Sequence, residues 1–172
     1  MSNTIALSLK NEKSRTVLFD LIAITAIAFL PAISHMISFP LYLLEPMRIL
    51  LILSIAHTSK RNAFIIAAAL PVLSFLLSGH PVLFKMFLII SEMMLNVGLF
   101  FYLSTKINNS FVAAFASIAG AKVYYYILKS ILMSFGLIAG DYVATSLYLQ
   151  VIVALVLSIY IFFVYGRSEK SV

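Results

Sequence analysis

Cysteine is absent from the 172 residues and charge is scarce: Lys and Arg number 12, Asp and Glu 6, together 10% of the chain. The first absence removes disulfides, thiolate metal sites and cysteine nucleophiles, and leaves no redox signature of a compartment. The second excludes an ordinary water-soluble domain, in which about a quarter of residues are charged. Also missing are H-E-x-x-H, G-x-S-x-G and any Walker-type phosphate loop. No catalytic constellation is visible, and the chain cannot hydrolyse ATP by itself. His35, His57 and His80 fall in different regions without metal-ligand spacing, so neither a metal nor a cofactor is expected. The net charge of +6 is scattered among short loops, which excludes a nucleic-acid surface.

What is present is apolar. Hydrophobic residues make up 63% of the chain and the mean hydropathy is +1.08, which predicts an all-α integral membrane protein in a lipid bilayer. A hydrocarbon core about 30 Å thick takes about 20 apolar residues per helix, so this length supplies five or six spans with short loops. The expected organisation is an N-terminal segment 1–16, a single six-helix membrane domain 17–165 and a tail 166–172.

The spans fall at about Val17 to Ile37, Met47 to Ala56, Ala63 to Leu77, Val82 to Leu103, Phe111 to Phe135 and Tyr142 to Tyr165. The second is the shortest, with a possible start at Leu41. Lys10, Lys13, Arg15, Lys60, Arg61, Lys106, Arg167 and Lys170 then lie on one side. The positive-inside bias makes that side the cytoplasm and puts both termini there. On the opposite side lie Pro40, Glu45, Pro46, Gly79, His80, Pro81, Gly136, Gly140 and Asp141, with Arg48 and Lys85 near them.

Ionisable groups at membrane depth cost about 2.5 to 3.5 kcal/mol on insertion scales, so they face a protein interior or a wet cavity and pair there. Lys85, Glu92 and Asn96 are spaced seven and four apart, which places them on one face of the fourth span. Lys122, Tyr126 and Lys129 repeat that spacing on the fifth, with Tyr125 beside them. Glu92 and Lys122 both fall near the midplane of antiparallel neighbours, which predicts an ion pair. Lys85, Lys129 and Arg48 are left as surplus positive charge in the outer half, against Glu45 and Asp141. Two readings of these three cations stand: they snorkel to headgroups as anchors, or they face a cavity flanked by Tyr124, Tyr125, Tyr126 and Tyr148 that takes a carboxylate or phosphate. Tyr142, Tyr160 and Tyr165 are expected at interfacial belts or facing lipid, and Asp20 is expected to cap or pair locally. Ala28 and Ala32, Ala63 and Ala67, and Ala116 and Gly120 are spaced four apart, as residues at close helix contacts are.

The six spans with both ends inside, the stretch "LPVLSFLLSGHPVLFKM" leading into a span with an internal Glu, and the Ala28, Ala32 pair together resemble the substrate-binding S components of energy-coupling factor (ECF) vitamin importers, over nearly the whole chain. The resemblance implies capture of a vitamin or related micronutrient near the outer surface of a bacterial cytoplasmic membrane, anionic in view of the basic excess. It implies ligand contacts from Arg48, Lys85, Glu92, Asn96, Lys122, Tyr125, Tyr126 and Lys129, with the loop around His80 as a gate. It further implies docking through Ala28 and Ala32 on a transmembrane coupling subunit that carries two cytoplasmic ATPases. Two other classes fit the composition: a scaffold of a bacterial envelope complex, and a small ion-coupled carrier using Glu92 as a proton site. Against the carrier, no inverted repeat is visible.

Overall fold

A computed structural model describes residues 13–14, 16–29, 36, 41–79, 81–143 and 145–168. They form helix α1 (Thr16–Phe29), a 3-10 turn η1 (Leu41–Leu44), and helices α2 (Pro46–His57), α3 (Lys60–Ser78), α4 (Leu83–Ser104), α5 (Ser110–Ser134) and α6 (Leu147–Ser168). No strand occurs among the described residues. Helices α3 to α6 are long and apolar enough to cross a membrane, whereas α1, as far as it is described, and α2 are shorter. Ala32 and His80 lie outside the described residues.

Local chemistry sets the helix ends. Ser59 caps α3 by accepting a hydrogen bond from the Asn62 amide at 3.2 Å, and Asn109 caps α5 by accepting from Phe111 N and Val112 N at 2.9 and 3.3 Å. Such caps satisfy amides that the first turn leaves unpaired. At the far end of α5, Gly136 has φ 69° and the Leu137 amide reaches back to Leu132 O at 3.0 Å, the reversal that stops a helix at glycine. A Cβ on Gly136 would meet nothing within 4 Å, so Gly136→Ala tests backbone strain alone. It should lower stability by about 1 kcal/mol, a fall of roughly 2 to 4 °C in thermal midpoint. Gly98, inside α4, also has open space around it, and Gly98→Ala should raise the midpoint by a similar amount. Opposite signs from the two variants in one melting series are the expected result.

The last helix begins at Leu147, five residues later than the sequence predicts, because side chains described below hold the carbonyls of Tyr142 and Thr145. The start of α1, both limits of α2 to α5 and the end of α6 agree with the expected ones to within about three residues; the expected end of the first span, Ile37, lies outside the described residues.

Neighbouring helices pack in the order α2, α3, α4, α5, α6 and back to α2, and α2 also touches α4. This closes a ring of five helices in which the short α2 bridges α3 and α6. Half of its 12 residues are buried, and Leu51, Ile52 and Ile55 meet Ala67 of α3, Val97 and Phe100 of α4, Ile118 of α5 and Ile161 of α6 in one core. Ala63 and Ala67 are fully buried, so that small-residue pair packs inside the bundle; Ala28, on α1, is exposed. Asp20 accepts a hydrogen bond from Asn62 Nδ2 at 2.8 Å and thereby ties α1 to α3, where the sequence suggested only a local role.

The periphery is apolar: Leu21, Phe29, Leu76, Phe87, Val123, Ile127 and Phe163 are among many large side chains left exposed. Helices with this surface suit hydrocarbon, since isolated apolar patches on water-soluble proteins are far smaller. Two tyrosines expected at that periphery turn inward instead. Tyr160 bonds to His57, and Tyr165 donates to Ile55 O at 3.1 Å while packing edge-on against Phe100.

Candidate functional site

The polar interior starts at the entrance to α2. Glu45 has φ 52° and ψ 56°, the left-handed region that costs a non-glycine residue about 1 to 2 kcal/mol. It stands immediately before Pro46, which further narrows its backbone choices. That conformation directs its carboxylate to two cations. Oε2 lies 2.8 Å from Arg48 Nε, one turn into α2, and Oε1 lies 2.6 Å from Lys122 Nζ on α5.

Arg48 uses its other face for Glu92 of α4, with Nη2 bonded to Oε1. Lys122 Nζ is 3.7 Å from that same Glu92 oxygen, so the ion pair expected from helix phasing is present, as the longest of four contacts. Two carboxylates and two cations therefore form a closed ring without net charge. Arg48 is 7% exposed and Glu92 4%, a burial that ions tolerate only when paired and hydrogen-bonded. Among the described residues no buried side-chain nitrogen or oxygen lacks a partner.

The surplus of positive charge expected in this half is smaller than the sequence suggests. Arg48 belongs to the ring and does not snorkel outward. Lys129 is 4% exposed, and its ammonium donates to the carbonyls of Asp141 at 2.7 Å and Tyr142 at 2.9 Å. It holds the loop between α5 and α6. Lys85, in the first turn of α4, is half-buried and makes no hydrogen bond or ion pair with the described residues. Of the three cations, only Lys85 keeps the character predicted for all of them.

Tyr125 lies between the two α5 lysines, its ring centroid 5.4 Å from Lys122 Nζ and 5.9 Å from Lys129 Nζ, within reach of a cation–π contact. Tyr126 stands edge-on to it. The Gln150 amide of α6 donates to the Tyr126 hydroxyl and to Thr145 O, both at 2.6 Å, and the Tyr142 hydroxyl donates to Tyr126 O at 3.1 Å. Asn96 is 1% exposed and accepts from Ser117 Oγ at 3.4 Å, joining α4 to α5. Tyr148, expected beside the cavity, is 71% exposed.

Lys122, Tyr126 and Gln150 also line a cleft of about 260 Å³ between α5 and α6, whose remaining walls are apolar, among them Ile118, Val151 and Ala154. A larger groove of about 580 Å³ along α3 has Arg61 as its one polar wall; it adjoins none of the residues above and suits a hydrocarbon chain better than a polar ligand. Among the described residues no group of three His, Cys, Asp or Glu could hold a metal ion.

The sequence therefore leads to Arg48, Glu92, Lys122, Tyr125, Tyr126 and Lys129, which the fold gathers between α2, α4, α5 and α6. It misses Glu45 and Gln150. For Glu45 a signal exists, its i, i+3 spacing to Arg48, which places the two side chains side by side where a helix begins. For Gln150 we find no signal beyond its being an amide on an otherwise apolar span. No family model, curated protein or solved structure is significantly similar to this chain.

Proposed function

We propose that this chain is a six-span membrane protein, with both termini in the cytoplasm, that captures a small anionic molecule from the outside as the S component of an ECF-type importer. It relies on a coupling subunit and two ATPases for energy. The observation that carries this reading is the site itself: Lys122, Tyr126 and Gln150 converge where a cleft opens between α5 and α6, and Lys122 joins that cleft to the ion ring of Glu45, Arg48 and Glu92. Cations beside aromatic and amide groups on apolar walls suit a ligand with a carboxylate or phosphate and an apolar body. The loop basic residues support the orientation. Lys60, Arg61 and Lys106 lie in the first turn of α3 and just after α4, at the end of the bundle opposite Glu45 and the α5–α6 loop, as a cytoplasmic face requires.

The test uses the whole protein. Purified gently in detergent from its native host, it should carry a small anionic molecule identifiable by mass spectrometry and should recover two ATPase subunits. A preparation repeatedly free of both rejects the proposal.

One observation favours a second reading, a scaffold within an envelope complex. The ion ring is complete without any ligand, as in a bundle stabilised for its own sake. On that reading Lys122→Ala disrupts assembly and leaves nutrient uptake unchanged, whereas an uptake defect in cells whose envelope assembles normally rejects it.

A further inference from the structure

The ring contains one carboxylate that differs from the other. Glu92 stands in the middle of a regular helix and is buried against Arg48. Glu45 stands outside any helix, in a left-handed conformation before a proline, at a more exposed edge: its side chain is 14% exposed against 6% for Glu92. It is nevertheless the closer partner of Lys122, at 2.6 Å against 3.7 Å for Glu92. Remove Glu45 from the ring and Arg48 keeps Glu92, but Lys122 retains only the longer contact and the site gains one net positive charge.

We infer that Arg48 Nε and Lys122 Nζ form a carboxylate-binding site that the chain's own Glu45 fills in this structure, and that the ligand is a small monocarboxylate whose carboxylate takes the place of Glu45. This rests on the small-molecule reading above and specifies its substrate class. The geometry is that of a carboxylate receptor. The two cations take one oxygen each, which fixes the plane of the bound group as charge-assisted hydrogen bonds do. Lys122 is shared between this position and the α5–α6 cleft, so a molecule bound by its carboxylate would lay its body along Ile118, Val151 and Ala154, with Tyr126 and Gln150 offering hydrogen bonds. The volume of about 260 Å³ lies just below the range for drug-sized ligands and sets the size of that body. The strain at Glu45 adds to the argument, because backbone held in the left-handed region is relieved when the residue leaves it.

Propionate tests this directly, since it has the atoms that Glu45→Gly deletes. Glycine also relaxes the left-handed backbone, which separates loss of the carboxylate from loss of a tolerable conformation. The full-length E45G protein in detergent should gain thermal midpoint with added sodium propionate. The gain should be roughly 3 to 6 °C at about ten times the dissociation constant, and equal sodium chloride should give none. Wild type should shift less, because its own carboxylate competes. Adding Lys122→Met to E45G should abolish the propionate response. Absence of a propionate-specific shift in E45G, or an equal shift in wild type, overturns the inference. Should E45G fail to fold, E45Q keeps the side-chain shape without its charge and must still respond to propionate more than wild type does. The outcome is separate from that of ligand co-purification: a chain that carries a native ligand yet ignores propionate in E45G loses this inference and keeps its function.

Discussion

Arg48→Met destabilises the protein by about 3 to 5 kcal/mol, the range for removing one partner of a buried ion pair. Methionine roughly fills the volume of the arginine stem, so the loss is one of charge. Glu92, 4% exposed, is left with Lys122 at 3.7 Å, and Lys122 is already engaged by Glu45 at 2.6 Å. Two carboxylates then share one ammonium in a low-dielectric interior. The double variant R48M/E92M should recover most of the loss. It removes a whole ion pair and leaves Glu45 and Lys122 as a second, neutral one, and apolar replacement of a complete buried pair is close to neutral. Unfolding of the two variants in detergent, followed by loss of helical signal, checks both statements. A single variant less than 1 kcal/mol below wild type, or a double variant no better than the single one, would show that the ring does not hold the bundle together.

This ring also shows which parts of the fold the sequence encodes legibly. The contact between Glu92 and Lys122 can be read from span spacing, because i, i+4 and i+7 positions share a helix face and antiparallel neighbours meet at equal depth. For Arg48 the same logic leaves two readings open, a headgroup anchor and a cation facing the interior. Its distance from the end of an apolar run suits a residue that reaches headgroups, but α2 packs against α3, α4 and α6 and turns Arg48 into the bundle. Hydropathy reports burial from water and does not distinguish lipid from protein, so it gives no sign of which face of a 12-residue helix turns to the bundle. Glu45 is missed for another reason. In "SFPLYLLEP" the two prolines mark a connection, and the side chain of a connecting residue follows from its backbone angles, which periodicity does not specify. Tyr160 and Tyr165 illustrate the first point again, since a tyrosine near a span end is equally suited to an interface and to an inward hydrogen bond. The late start of α6 is a tertiary effect: residues 142–146 are apolar enough for a helix, but Lys129 and Gln150 bind carbonyls within and beside them.

Lys129→Met should release that loop. The ammonium makes two charge-assisted hydrogen bonds to Asp141 O and Tyr142 O, each worth about 1.5 to 3 kcal/mol, against which stands the expense of burying a cation. The net effect expected is about 2 to 3 kcal/mol, and it is local. None of the described residues between Phe135 and Leu147 is helical, and their other ties to the bundle include Tyr142 to Tyr126 O and Gln150 to Thr145 O. Hydrogen exchange across residues 137–146 should therefore accelerate by roughly 30-fold to 140-fold, while exchange in α3 and α4 changes little. Because Tyr126 and Gln150 line the α5–α6 cleft and are bonded to this loop, a loosened loop also loosens the cleft wall. Ligand affinity, measured on the same preparation, should fall by about tenfold for each 1.4 kcal/mol of ordering that binding must then restore. Unchanged exchange in the loop would mean that the two carbonyl bonds do not fix it. A weakened ligand with an unchanged loop would instead give Lys129 a direct part in binding, through the Tyr125 ring that it shares with Lys122.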